Sequence, residues 1–209
     1  MSKFAGEDVK GQRSTEKRSG DADLVRAAVA GRRNAFDELV ERYQRRAVSV
    51  AFRLLGNLHD ALEVAQEAFI RAYKNLDSLE DQNRFGSWLL RIVTNLSLNF
   101  RRDRAVGGRK VSLDDCILNE ETSAAERLAE PDYSDSRPGA LLAATELQGA
   151  VQTAIAALPQ QQRTALVLFS IEQMPQKDVA EIMNCSVEAV KWHVFQARKK
   201  LKEELAEFL

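Results

Sequence analysis

One stretch limits what this chain can become. It runs from Leu158 to Lys202, opening L-P-Q-Q-Q-R and closing K-K-L-K. Between Pro175 and Met183 the spacing predicts a short helix with Val179, Ile182 and Met183 turned inward. Asn184-Cys185-Ser186 is a tight connection, and Ser186 is a good N-cap for a second helix. In that helix Val190, Val194, Ala197 and Leu201 form one apolar stripe, while Lys191, His193, Arg198, Lys199, Lys200 and Lys202 occupy the other side. Two short helices, a tight turn and a basic outer face make a helix-turn-helix, whose second helix is built to enter a DNA major groove. A plain helical hairpin with a solvated charged face would show the same pattern, so the rest of the chain has to decide.

The remainder also reads as helix. Gly and Pro are scarce, with ten and four among 209 residues, and no alternating strand pattern stands out. A first helix can start at Asp21 or Asp23 and stop at Gly31, with Leu24, Val25, Ala28 and Val29 on one side. Asn34 can cap a second helix carrying Phe36, Val40, Tyr43, Ala47, Val50 and Leu54, which Gly56 ends. A third runs from about Asp60 to Asn75 with Ala61, Val64, Ala65, Ala68, Phe69 and Ala72 inward. A fourth runs from about Arg84 to Arg104 around Trp88, Leu89, Ile92, Val93, Leu96 and Phe100. After Gly139, Leu141, Ala144, Leu147, Val151, Ile155 and Leu158 mark a helix stopped by Pro159, and another spans about Gln160 to Ser170. The expected architecture is all-α, with a four-helix domain over 21–104 and a helix-turn-helix domain over 139–209. Residues 1–20 read as a disordered basic tail, and the Gly-, Ser- and acid-rich 105–138 as a flexible linker.

The net charge of −1 predicts no partner by itself. The charge is segregated: Arg101, Arg102, Arg104, Arg109 and Lys110 stand just before a run of carboxylates from Asp114 to Asp135. Cys116 and Cys185 lie far apart, and His59 and His193 add no ligand spacing, so no metal site or cofactor is read. Reduced thiols and the lack of a signal peptide or apolar span suit a cytoplasmic protein with no direct membrane insertion. No phosphate loop and no nucleophile paired with a base point to an enzyme.

Three motifs in order resemble the bacterial sigma-70 family of RNA polymerase sigma factors, in its extracytoplasmic-function (ECF) group. Glu63-Val64-Ala65-Gln66-Glu67-Ala68-Phe69-Ile70-Arg71-Ala72-Tyr73 is similar to region 2.2. Phe85-Gly86-Ser87-Trp88-Leu89-Leu90-Arg91-Ile92-Val93-Thr94-Asn95, continued by Arg101-Arg102, is similar to regions 2.3 and 2.4. Leu158-Pro159 with Arg163, then Asp178 to Ile182 and the helix to Leu201, is similar to region 4. The chain departs from the pattern at Glu63, Pro175, Ala189 and Gln196, where the family more often has Asp, Ser or Thr, Thr, and Arg.

The resemblance implies a subunit that binds core RNA polymerase, through its clamp coiled coil and flap, and confers promoter specificity. Family members are usually held inactive by an anti-sigma factor. Glu63, Gln66, Glu67 and Ile70 would dock on the clamp. Asn83, Arg84, Arg91, Asn95, Arg101, Arg102 and Arg104 would hold the −10 element as it melts, the arginines on phosphates. Ser186, Glu188, Lys191, Trp192 and His193 would meet base edges of the −35 duplex, and Arg163, Arg198 and Lys199 its phosphates. The spacing puts Trp88 on the core stripe and Phe195 half in the core; Trp192 can either pack or read DNA. An ordinary helix-turn-helix regulator, binding duplex without polymerase, is the competing reading, but a sensor domain has no reason to carry the motifs at 63–73 and 85–104. Elements two helical turns apart are separated by about 70 Å. A free coil the length of 105–138 averages about 30–35 Å, so the linker is expected to be stretched and held by polymerase.

Overall fold

The computed structural model describes residues 20–106 and 138–206, with side chains given for 20–104, 147 and 149–206. The tail and almost all of the linker lie outside the described residues. Among the described residues eight α-helices follow in chain order: α1 Asp21–Val29, α2 Arg33–Leu55, α3 Leu58–Lys74, α4 Phe85–Val106, α5 Pro138–Ala157, α6 Gln160–Leu166, α7 Gln176–Met183 and α8 Val187–Glu204. No strand occurs among the described residues. The all-α expectation therefore holds.

The helix ends have local causes. Gly56 takes φ 81°, a left-handed value suited to glycine, and its N–H donates to the Phe52 carbonyl at 2.7 Å, which closes α2. One residue on, the Asn57 side chain accepts the Asp60 N–H at 3.0 Å and starts α3. Two expected starts move as a result. Asn57 caps α3, which begins at Leu58 rather than at about Asp60, and α2 begins after Arg32, leaving Asn34 inside the helix without a capping bond from either residue. The expected helix 160–170 is α only to Leu166; Val167–Ile171 widens into a π turn that sends the chain toward Gln173, at φ 54°.

Around α4 the first four helices pack. Phe85, Leu89, Leu90 and Val93 are fully buried, against Val50 and Leu54 of α2 and Ala61 and Ala68 of α3. Burial on two sides explains why Leu90, off the expected stripe, is also inside. Tyr43 crosses the start of α4 so closely that a Cβ on Gly86 would lie 2.8 Å from its ring. Its hydroxyl donates to the Asp21 carboxylate, tying α1 to α2. In the second unit, α6, α7 and α8 close on Ala165, Leu168, Val179, Val190 and Ala197, all but Leu168 and Ala165 on expected stripes. Val29, expected on the same side as Leu24, Val25 and Ala28, is exposed, as is Leu147, whereas Ala27 takes the buried place on α1.

The two units touch. The buried side chains of both form one cluster. Arg163 of α6 reaches across to donate its Nη1–H to the Leu54 carbonyl at the end of α2, at 3.0 Å. Arg46 of α2 pairs with Glu172 at 2.5 Å and also donates to its carbonyl at 3.0 Å. Arg84, just before α4, pairs with Asp178 of α7, and Arg91 on α4 with Glu181 at 3.4 Å.

Candidate nucleic-acid interface

Helix α8 is fixed from one side only. Val190 and Ala197 are fully buried and Val194 nearly so, which turns the opposite face outward. Its start is set by Ser186, whose hydroxyl oxygen accepts the Ala189 N–H at 3.1 Å. The turn from α7 is made by Asn184 at φ 50°, with the Cys185 N–H donating back to the Ala180 carbonyl at 3.0 Å. Asparagine tolerates that left-handed value better than any β-branched residue. Burial pushes the Cys185 thiol above its ordinary pKa, and its side chain packs against the core.

On the outer face Glu188, Lys191 and Lys199 are exposed, and Trp192 is 54% exposed. Trp192 stands out from the protein, edge-on to the half-buried His193 at 5.1 Å. Phe195, expected half in the core, is 64% exposed. One residue is 100° of helix, so the burial of Val194 and Ala197 swings Phe195 out to the side of Trp192 and Lys199. Arg198 is exposed and donates to the Ser170 hydroxyl at 3.1 Å. Lysines, an indole and a phenyl thus share one exposed surface.

Arg163 is not on that surface. It is 5% exposed and donates to the carbonyls of Leu54, Ala156 and Leu158. The expected phosphate contact is therefore corrected. α5 ends before Pro159, its last carbonyls lack helical partners, and a buried guanidinium supplies the donors.

The expected −10 residues divide in the same way. Arg101 donates to the Leu54 carbonyl at 3.0 Å, and Arg104 pairs with Asp60 and lies 5.4 Å over the Phe100 ring. Both are committed to closing α4 against α2 and α3, so neither is the free phosphate holder expected. Spacing could not show this, because their partners are a carbonyl and a helix-start carboxylate on other helices. Arg102 is exposed beside Asn99, and Asn95 is exposed. Asn83 sits on an exposed turn begun by Asp81, whose carboxylate accepts the Asn83 N–H at 3.0 Å. Arg84 and Arg91 flank a cleft of about 300 Å³ that is walled by Leu79, Trp88, Met174 and Ile182. Trp88 belongs to both readings: it packs 6.1 Å from Phe85 and also lines the cleft.

On α3, Glu63, Gln66 and Ile70 are exposed together, and Glu67 is held by Arg71 at 2.6 Å. Gln66 and Ile70 edge an apolar groove between α2 and α3, floored by Phe36, Val40 and Phe69 and walled by Leu62 and Tyr73. The sequence pattern placed Ile70 on the outer face but missed Leu62 and Tyr73 beside it. At the start of α3 the ligand-type atoms of His59, Asp60 and Glu63 lie within 4.8 Å of one another. Asp60 is already taken by Arg104, and a helix N-terminus opposes a cation. No helix among the described residues is long and apolar enough to cross a membrane.

Comparison with known proteins gives this geometry a context. Residues 39–106 match Sigma-70 region 2, and residues 148–201 match Sigma-70, region 4. The ECF RNA polymerase sigma factor SigW of Bacillus subtilis (strain 168) is 32% identical over 186 residues, 87% of this chain and 94% of the relative. The ECF RNA polymerase sigma-E factor of Escherichia coli (strain K12) is 34% identical over 186 residues, 88% and 94%. The solved structure of CnrH in complex with the cytosolic domain of CnrY is similar at a TM-score of 0.58 and 26% identity, covering 90% of this chain and 99% of that one.

Proposed function

Since the chain belongs to the sigma-70 family of RNA polymerase sigma factors, in the ECF group, we propose that it binds core RNA polymerase and selects the promoters at which transcription starts. The single observation that carries this is the paired arrangement: an exposed basic and aromatic face on α8, and a second basic face on α4 in a separate unit. One reads duplex and the other holds a strand, and an independent regulator needs only the first.

In this reading α8 enters the major groove of the −35 element. Lys191 addresses guanine acceptors, Glu188 and His193 meet neighbouring base edges, and Arg198 and Lys199 hold phosphates. Ser186 sits at the helix start, where its backbone comes closest to DNA. The −10 element is held after melting by Asn83, Arg84, Arg91, Asn95 and Arg102, with the Trp88 cleft available to an unstacked base. The outer face of α3, through Glu63, Gln66, Glu67 and Ile70, docks on the polymerase clamp, and the 139–209 unit meets the flap. An anti-sigma factor is the expected antagonist, and the cytoplasm the place of action. The chain supplies recognition, and polymerase supplies the chemistry.

Run-off transcription with core polymerase and a genomic promoter library tests the proposal. Redirected start sites that share two spaced elements are expected. Duplex binding without any change in polymerase start sites would overturn it.

A further inference from the structure

Glu188, Trp192, Phe195 and Lys199 of α8 recur at i, i+4, i+7 and i+11. The core stripe of the same helix, Val190, Val194, Ala197 and Leu201, repeats that spacing two residues later. Two residues turn a helix by about 200°, so the first set forms a straight ridge opposite the second. Exposure agrees. Val190 and Ala197 are fully buried, whereas Trp192 and Phe195 are the most exposed large apolar side chains among the described residues. The His193 ring stands edge-on to the indole at 5.1 Å, which restricts the indole before any ligand arrives.

The ridge is aromatic in its middle and flanked by cations. Lys191 and Lys202 are exposed to one side of it and Lys200 to the other. Positive charge on both sides of an aromatic strip matches a groove with phosphates on its walls and an apolar group on its floor. In the DNA major groove the thymine methyl is that group. The one arginine of α8, Arg198, lies off the ridge and donates to the Ser170 hydroxyl at 3.1 Å, so the ridge carries no guanidinium fork for guanine.

We propose that Trp192 and Phe195 read thymine methyl groups in the −35 element, with Glu188 at the leading end of the ridge accepting from a cytosine amino group. The inference rests on the promoter reading above and names the bases that this helix selects. Burying one methyl against a ring contributes about fourfold in affinity.

The test enriches a randomised duplex library on the full chain, alone and bound to core polymerase. Each thymine of the enriched duplex is then replaced by deoxyuridine, which removes the methyl and leaves every hydrogen-bonding group in place. At two positions the replacement is expected to weaken binding about fourfold, and elsewhere to leave it unchanged. In Trp192→Ala the first of these effects should vanish and in Phe195→Ala the second, while Trp192→Phe keeps most of the first. Such coupling of one side chain to one methyl is not imitated by a general loss of affinity. Both residues are more than half exposed, so the variants should keep the parent's melting midpoint. Failure to enrich any duplex, enriched duplexes with no shared thymine, or equal affinity for thymine and deoxyuridine would overturn the proposal. So would a methyl effect that survives both alanine variants, or duplex affinity that neither variant changes, which would assign the ridge to a protein partner. The methyl effect is read on duplex binding, and failure of the promoter reading shows separately, as unchanged start sites in the run-off assay.

Discussion

Arg163 and Leu54 are separated by 109 residues, yet the Arg163 Nη1–H donates to the Leu54 carbonyl at 3.0 Å. Arg101 donates to the same carbonyl, also at 3.0 Å. One orphan acceptor at the end of α2 therefore receives a guanidinium from each unit, as expected where the helix dipole leaves negative charge. Replacing Arg163 with Met removes donors from Ala156 and Leu158 as well. A loss of about 3 kcal/mol is expected in urea unfolding of the full chain, with only part recovered by Lys, which lacks the planar fork. A loss below about 1 kcal/mol would mean that those carbonyls find other donors.

Gly86 faces Tyr43 with no room to spare. An added Cβ would lie 2.8 Å from Tyr43 Cε1 and 2.9 Å from its hydroxyl oxygen. Gly86→Ala is expected to cost about 1–3 kcal/mol through displacement of the ring, although alanine is the better helix former. A thermal melt of the variant checks the sign: an unchanged or raised midpoint contradicts the close approach.

The Tyr43 phenol is pushed up to about 12, first by burial, then by its hydrogen bond to Asp21 and the repulsion that Asp21 would exert on a phenolate. The folded value exceeds the unfolded one, so the contribution to stability is full below about pH 10 and is lost as pH rises through about 12. Phenolate absorbance should show this tyrosine titrating above the ordinary phenol range, and Asp21→Asn should bring it down. Denaturant midpoints should fall over the same alkaline window in the parent chain, and less in Tyr43→Phe.

Lys191 is exposed at the outer face of α8. Lys191→Ala should weaken binding to a selected −35 duplex by about 1–3 kcal/mol, relax the preference at one base pair and lower the salt slope by about one. A uniform loss across all duplexes would reassign Lys191 to a phosphate.

Ile70 is 43% exposed at the rim of the groove between α2 and α3. Ile70→Glu should leave the unfolding free energy within about 0.5 kcal/mol of the parent and remove co-purification with core polymerase. Retained co-purification would move the docking surface off this face of α3.

The α8 stripe was legible in the sequence because Val190, Val194 and Ala197 recur at helical spacing and are buried on one side. So was the turn, from Asn184 to Ser186. Arg163, Arg101 and Arg104 were not, because a cation that satisfies a distant carbonyl or carboxylate has the same local pattern as one that meets phosphate. Leu90 was missed because α4 is enclosed on more than one side, and periodicity finds only one face. Phe195 was misplaced because an aromatic beside an apolar stripe reads as core until a neighbouring helix fails to cover it. The cross-unit pairs of Arg84 and Arg91 depend on how two units meet, which no single helix encodes.

Helix α8 divides its labour by side. Val190, Val194 and Ala197 anchor it, while Glu188, Lys191, Trp192 and Phe195 stand clear of those anchors. Changing the second set leaves the anchoring set intact. A duplicated gene of this kind could thus drift toward new operons one exposed residue at a time, keeping its fold throughout and its allegiance to the same transcription machinery.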